Sequence, residues 1–308
     1  MPKYTAPKIA ILGDSMLDEY RTGNMDSKRS IFVPTALQEA PGGAGNVACN
    51  VRVMGAVPLL YSPIGRSRKS LRYRRCLRDA GVSTEHLIIS RQKDISYKVN
   101  LMEGSGRILR IDHDENSAIP DGEFEALLTS LFESNTGWSD LIVTDYQKGC
   151  ISKQGFDRIR RLCVQRHIRL YVDSASPWRL DGVFFYKPNR IQLEQVIGER
   201  LETIAQIEAA ALRLKRRQEI AHMAVTMDRE GLLYLDDHNQ IQYMASHCSK
   251  AVDPCGAGDT LIAALAVGIA RGGSVGHALE LANRAAGVAC SYLGTYAVPA
   301  EKIANWYD

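Results

Sequence analysis

The sequence predicts an α/β fold, a doubly wound and mostly parallel sheet that carries a small β lid. Three observations lead there. Short apolar runs alternate with longer amphipathic stretches, nearly every run closes on a polar residue, and two segments break the alternation. Brief apolar runs bounded by turn signals read as buried strands, and strands alternating with helices build a parallel sheet.

The runs fall in order at Lys8–Leu12, Leu59–Ile64, Leu141–Thr144, Leu170–Val172, Val183–Tyr186 and Met223–Thr226. Between the last two, Glu202–Glu219 sets Ile204, Ile207, Ala211 and Leu214 on one helical face, with Lys and Arg opposite. The polar residues that close the runs are Gly13-Asp14, Asp145, Asp173, Asn189 and Thr226. Ligands of open α/β sheets bind beyond the carboxyl ends of the strands, so these side chains are expected to converge. Asp and Asn also serve ordinary turns, and only their recurrence points to a site. The exceptions are residues 15–40, which hold no clear helix, and 95–114, two strands around Glu103-Gly104-Ser105-Gly106. Both are assigned to the lid. No Gly/Ser-rich linker, repeat or low-complexity tract divides the chain, so 1–308 is expected to be a single domain.

Composition narrows the function. A hydrophobic share of 45% and a charged share of 24% are those of an ordinary globular protein. A formal net charge of +3 gives no support to nucleic-acid binding, although it suits small anions. No apolar run approaches a membrane span, and the start, MPKYTAPKIAIL, lacks a signal-peptide pattern; a cytoplasmic location without membrane contact is expected. The cysteines at 49, 76, 150, 163, 248, 255 and 290 are odd in number and never spaced CxxC, which argues against a disulfide framework or a zinc site. No HExxH occurs among the histidines.

Three motifs carry chemistry. The first is Asp253-Pro-Cys-Gly256-Ala257-Gly258-Asp259-Thr260, followed by LIAALAVGIA. Glycines let successive N–H groups point into one concavity, and the helix start adds positive charge, so the segment forms a cradle for phosphate oxygens. Asp259 in the first turn is placed to accept a proton from an attacking hydroxyl. An N-capping Asp on a buried helix explains the same spacing equally well. GxxxxGK[ST] does not occur, which excludes a P-loop. The second motif, Pro41-Gly42-Gly43-Ala44-Gly45-Asn46, leads into a helical pattern, lets a polyhydroxylated ligand approach the backbone, and offers Asn46 as donor and acceptor. The third, Gly13-Asp14-Ser-Met-Leu-Asp18, sets two carboxylates near a strand end, suited to sugar hydroxyls or to a plain turn.

Together, and in this order from Gly13 to Pro299, the motifs resemble the ribokinase-like (PfkB) carbohydrate kinase family. GDSMLDEY, APGGAGNVACNV, RIDHDE, TDYQKG, KPN, GAGDTLIAALA and NRAAGVA are most similar to bacterial D-glycero-β-D-manno-heptose 7-phosphate kinases. The resemblance implies an ATP-dependent sugar kinase with Asp259 as base and Gly256, Ala257 and Gly258 as the anion hole. It implies that Asp14, Asp18, Gly42, Gly43, Asn46, Asp145 and Lys148 serve the sugar, with Arg110 and Asp112 above it in the lid. Asn189, Thr226, Gly231, Asn283 and the glycines of the anion hole fall on the nucleotide side. ATP as co-substrate, Mg²⁺ and, at Asp253, a monovalent cation such as K⁺ complete the implied set. A homodimer clasped through the lid, as in several relatives, would cover Ile95, Tyr97, Val99, Leu101, Ile108 and Ile111.

The sequence also departs from the family. Asn-x-x-Glu reads Asn189-Arg-Ile-Gln192, Gly-x-Asp reads Gly65-Arg66-Ser67, Asp-Pro-Lys reads Asp173-Ser-Ala, Cys255 stands for Thr, and Asp228 for a glycine. The missing glutamate organises Mg²⁺ in the family, so Gln192→Glu is expected to lower the Mg²⁺ needed for half-maximal rate. The departures keep open a kinase for another sugar and a binding protein without turnover. The HxGH motif of the nucleotidyltransferase fused to some relatives does not occur in the chain.

Overall fold

The computed structural model describes residues 5–306 apart from 27, 105, 134–136 and 249–251. In chain order its elements are β1 (Lys8–Gly13), β2 (Ser15–Asp26), β3 (Ile31–Gly43), α1 (Ala44–Val53), β4 (Val57–Ile64), α2 (Arg68–Asp79) and β5 (Leu87–Ile89). There follow β6 (Ser96–Glu103), β7 (Gly106–His113), α3 (Asp121–Glu133), β8 (Asp140–Asp145), α4 (Lys153–Gln165), β9 (Arg169–Ser174) and β10 (Phe185–Tyr186). The chain continues through α5 (Arg190–Ile197), α6 (Ile204–Arg217), β11 (His222–Thr226), β12 (Leu232–Leu235), β13 (Ile241–Met244), α7 (Ala257–Ala270) and α8 (Val275–Ala289).

Nine strands form the main sheet in the order β13-β12-β11-β10-β9-β8-β1-β4-β5. Neighbours from β11 to β5 run parallel, and β12 and β13 close the edge as antiparallel strands. The sheet is covered on both faces, and the two-residue period of a strand divides its side chains between them. Ile9 and Ile11 join one core with Val47, Leu77, Leu265 and Leu279 of α1, α2, α7 and α8. Ala10 and Leu12 join the other with Leu127, Phe156, Leu193 and Leu214 of α3 to α6. α7 is apolar around most of its circumference because α1, α8 and the sheet all pack on it. Truncating a residue at its centre, Leu265→Ala, would cost about 2–5 kcal/mol.

Three details differ from the sequence reading. The main sheet gains β5, β12 and β13, which lie outside the six runs. The run at 183–186 contributes only Phe185 and Tyr186 to the sheet, because Val183 turns back to Leu180 through a backbone hydrogen bond of 3.0 Å. Ile204, assigned to the buried face of its helix, is 40% exposed; it is the first residue after the Thr203 cap, and the buried stripe starts at Ile207.

A second sheet has the order β3-β2-β6-β7. It comes from the two segments that break the βα alternation. Only Asp14 separates β1 from β2, and β3 passes directly into α1. Ile31, Val33, Leu37, Leu109 and Ile111 of this sheet are exposed. Among the described residues no helix is long and apolar enough to cross a membrane.

Candidate active site

The strand ends and the starts of α1 and α7 meet at one edge of the main sheet. Gly256 precedes α7 with φ 79°, a left-handed conformation that glycine adopts without penalty, and a Cβ there would stand 2.6 Å from the side-chain nitrogen of Asn46. Asp259 lies one turn in and is 4% exposed. Its Oδ2 accepts a hydrogen bond of 2.8 Å from Asn46 Nδ2, and its Oδ1 accepts one from the hydroxyl of Tyr146. Burial raises the carboxyl to about 6, while those two donors pull it back down. Asn46 is itself held in α1, where its Oδ1 accepts from Asn50 Nδ2 at 3.2 Å.

A buried ion pair faces the same helix start. Lys187 Nζ lies 2.8 Å from Asp173 Oδ2, and both side chains are largely sealed from solvent. A Cβ on Gly258 would sit 3.1 Å from that ammonium, so the cation stands at the open N-terminus of α7. The other oxygen of Asp173 accepts from Gln192 Nε2 at 3.2 Å. Gln192 also completes a capping box with Asn189: the Asn189 amide donates to Gln192 Oε1 at 2.7 Å, and the Gln192 amide to Asn189 Oδ1 at 2.8 Å. Asn189 bridges to Thr226, Gly231 leads into β12, and Asn283 Nδ2 donates to the Ala245 carbonyl just beyond β13, at 2.8 Å. The residues expected on the nucleotide side thus gather around β10, β11 and the outer hairpin.

The residues expected on the sugar side separate into two groups. Asp18 is 4% exposed, and its carboxylate receives no hydrogen bond from the described residues. Burial pushes it up to about 6, against the opposing charges of Lys98 and Arg110. A Cβ on Gly42 would lie 2.5 Å from Asp18 Oδ2, so glycine is needed for the carboxylate to sit there. Cross-strand register sets Asp18, Lys98 and Asp112 in one row, and Arg110 pairs with Asp112 at 2.8 Å. Asp18, Gly42, Gly43, Asn46, Arg110 and Asp112 are therefore brought together.

Asp14 and Asp145 are not presented to a ligand, contrary to the sequence reading. Asp14 accepts from the backbone amides of Tyr146 at 2.9 Å, Lys148 at 3.1 Å and Cys150 at 3.0 Å. Burial and the nearby Asp145 raise its pKa, and the amides of Lys148 and Cys150 lower it. Asp145 accepts from Ser174 and Ser176, each at 2.7 Å, and from the Gln147 amide at 2.9 Å. Both carboxylates fix the loop after β8. The Lys148 ammonium lies 2.7 Å from Asp114, at the border of the site. Asp253 accepts from the amides of Cys255 at 3.1 Å and Gly294 at 3.2 Å, joining the loop before α7 to the loop after α8.

Three residues at the site escaped the sequence reading of function. Tyr146 and Lys187 lie in TDYQKG and KPN, and Lys98 lies in a lid strand. Lys187 directly follows β10, so the strand-end rule pointed at it without assigning a role.

Comparison with known proteins agrees with this geometry. The pfkB family carbohydrate kinase pattern matches residues 6–303. A "Bifunctional protein HldE" of Sulfurimonas denitrificans is 26% identical over 312 residues, covering 99% of this chain and 65% of the relative. One of Azorhizobium caulinodans is 29% identical over 300 residues, covering 94% of this chain and 62% of the relative. The chain thus spans somewhat less than two thirds of these relatives. Among solved structures, phosphofructokinase-2 from Escherichia coli in complex with substrates and products superposes with a TM-score of 0.83 at 17% identity, covering 98% of both chains. Arabidopsis thaliana ribokinase complexed with ribose and ATP gives 0.74 at 17% identity, covering 96% of both. With a doubly wound sheet, a glycine-opened helix bearing a buried aspartate, and a family match across nearly its whole length, the chain belongs to the pfkB family of carbohydrate kinases.

Proposed function

We propose that the protein transfers the γ-phosphoryl group of ATP to a sugar phosphate, D-glycero-β-D-manno-heptose 7-phosphate, at its anomeric hydroxyl. The observation that carries this reading is Asp259, buried at a glycine-opened helix start, with Asn46 and Tyr146 on its oxygens and Lys187 nearby. The acceptor oxygen attacks the γ-phosphorus, its proton passes to Asp259, and the bond from the γ-phosphorus to the ADP oxygen breaks. The amides of Gly256, Ala257 and Gly258 and the Lys187 ammonium take up charge on the transferring phosphoryl group. Asp18, Gly42, Gly43 and Asn46 hold the sugar hydroxyls under Lys98, Arg110 and Asp112, while Asp14 and Asp145 keep the loop carrying Lys148 in place. Asn189, Thr226, Gly231 and Asn283 serve the nucleotide. The heptose assignment rests on the sequence likeness to heptose 7-phosphate kinases, and Lys98, Arg110 and Lys148 suit an anionic acceptor.

Among the described residues no group of three or more His, Cys, Asp or Glu side chains is arranged to hold a metal ion. Mg²⁺ that arrives on ATP keeps phosphate and water ligands and needs few protein carboxylates. Asp173 fits that need, and the ion would shield phosphate charge when bound. K⁺ fits beside Asp253, a buried carboxylate without an ion pair among the described residues, next to the unpartnered buried hydroxyl of Thr295. The exposed apolar face of the lid, grooved between Phe32, Pro34, Val99, Leu101 and Ile111, suits a second copy of the chain in a homodimer. A cytoplasmic location accords with this chemistry, since ATP is its donor.

The test is coupled ADP release with heptose 7-phosphate, fructose 6-phosphate, ribose and no acceptor. Heptose 7-phosphate should lead in kcat/KM by about tenfold or more. Preference for an unphosphorylated sugar would refute the substrate, and no response to any acceptor would favour a binding protein without turnover.

A further inference from the structure

The two oxygens of Asp259 are each engaged: Asn46 donates to one and Tyr146 to the other. Tyr146 is firmly seated. Its amide donates to Asp14 at 2.9 Å, and the next residue, Gln147, takes a left-handed φ of 58° with its own amide on Asp145. Burial, with the nearby charges of Asp259 and Asp173, holds the phenol well above its ordinary pKa, so it stays protonated and keeps the proton it donates to Asp259. Asn46 is fixed on its far side by Asn50. Of the two donors, the phenol alone comes from a loop rather than from a helix.

A carboxylate beside a phosphate cradle can take the proton of any hydroxyl that attacks the bound phosphate. Water is such a hydroxyl, and its attack would hydrolyse ATP without a product sugar. The acceptor must bring its O–H within hydrogen-bond reach of Asp259. Asn46 takes one lone pair of Oδ2 and the phenol one of Oδ1, so an incoming hydroxyl meets a carboxylate that already holds two donors. The other groups facing this carboxylate are Asp173, Lys187 and Cys255. Asp173 and Lys187 are paired with each other, so neither competes for Oδ1.

We propose that Tyr146 is a positioning residue that occupies the acceptor's seat on Asp259 and keeps water from it until a sugar displaces the phenol. The proposal rests on the reading of Asp259 as the base. Specificity for a sugar over water then lies partly in Oδ1 being open only to a hydroxyl that the lid residues bind tightly enough to expel the phenol.

The experiment measures ADP release without any sugar, so it does not depend on knowing the acceptor. In Tyr146→Phe, which loses one oxygen, acceptor-independent ADP release should rise about tenfold while the KM for ATP changes less than twofold. In Tyr146→Phe combined with Asp259→Asn it should fall back to the wild-type level or below. A folded Tyr146→Phe with unchanged or lower basal release overturns the proposal, as does a double variant that keeps the elevated release. Tyr146→Met, also without a donor, repeats the test with the same expected result if the phenylalanine variant does not fold. Failure of the base reading appears separately: Asp259→Asn alone would then still phosphorylate sugar at the wild-type rate.

Discussion

Asp259 should cost the protein stability, and Asp259→Asn should recover part of that cost while abolishing turnover. The carboxyl is raised from 3.8 to about 6 by burial. Below pH 3.8 it is protonated in folded and unfolded chains alike and contributes nothing. Between 3.8 and about 6 the unfolded chain ionises first, so the folded state loses ground as pH rises; above about 6 the full cost stands. Two pKa units at about 1.4 kcal/mol each give about 3 kcal/mol. Asparagine removes that charge but turns an NH₂ toward one of two donors, which returns about 1 kcal/mol. A net gain of about 2 kcal/mol at pH 8 corresponds to a Tm higher by about 4 °C. At pH 4 the order reverses, and the variant melts below the wild type. Thermal melts across pH 4–8 follow the crossover, and ADP release should fall about 10²–10⁴-fold. A Tm difference that does not change with pH would refute the reasoning, and near-normal turnover would remove Asp259 from the mechanism.

Lys187→Met strands Asp173 in a buried setting and removes a cation from the phosphate cradle; unfolding titrations should lose about 3–5 kcal/mol and steady-state kcat about 10²-fold. Gln192→Glu keeps the acceptor for the Asn189 amide but sets a second carboxylate beside Asp173. Metal-free stability should drop by about 1 kcal/mol, and the Mg²⁺ concentration for half-maximal rate should fall; a Mg²⁺ titration of rate that is unchanged counts against the assignment. By light scattering at micromolar concentration the wild type is expected to be a dimer and Leu37→Lys, on the exposed lid face, a folded monomer; a monomeric wild type counts against the lid interface.

Six strands of the main sheet were legible as short apolar runs, most with a polar close; β5, β12 and β13, only three or four residues long, were missed, and β10 was overdrawn because Val183 is apolar yet belongs to a turn. The glycine motifs were legible because what they do is local: the residues that open α7 and α1 adjoin the residues that act. Asp14 was misread for the opposite reason. Its three partners lie 132 to 136 residues away, and a chain read in one dimension does not reveal that their amides converge on it. Lys98 reaches Asp18 through the register of β2 with β6, and Tyr146 reaches Asp259 across 113 residues. Such roles arise from pairing between distant segments, which spacing along one segment leaves undetermined.

The root of the second sheet has a mechanical consequence. Asp14 alone links β1 to β2, and its carboxylate is fastened to the loop after β8, while Glu19 is gripped by Arg72 of α2 and Tyr97 of β6. Tyr97 moves with the sheet, but a swing about this root would strain the Asp14 bonds and the Arg72 grip together, so the sheet behaves as a cantilever clamped at one end. Its compliance lies further out. The pairing of β2 with β3 slips between Thr22 and Gly23, that of β6 with β7 slips between Leu101 and Met102, and Thr22 pairs with Met102. The two irregularities thus line up as a crease across the strands. Asp18, Lys98, Arg110 and Asp112 all lie on the clamped side of it. Bending along the crease moves the tip and leaves those groups standing, so stiffening the crease should slow the entry and exit of a ligand while leaving its equilibrium affinity nearly unchanged.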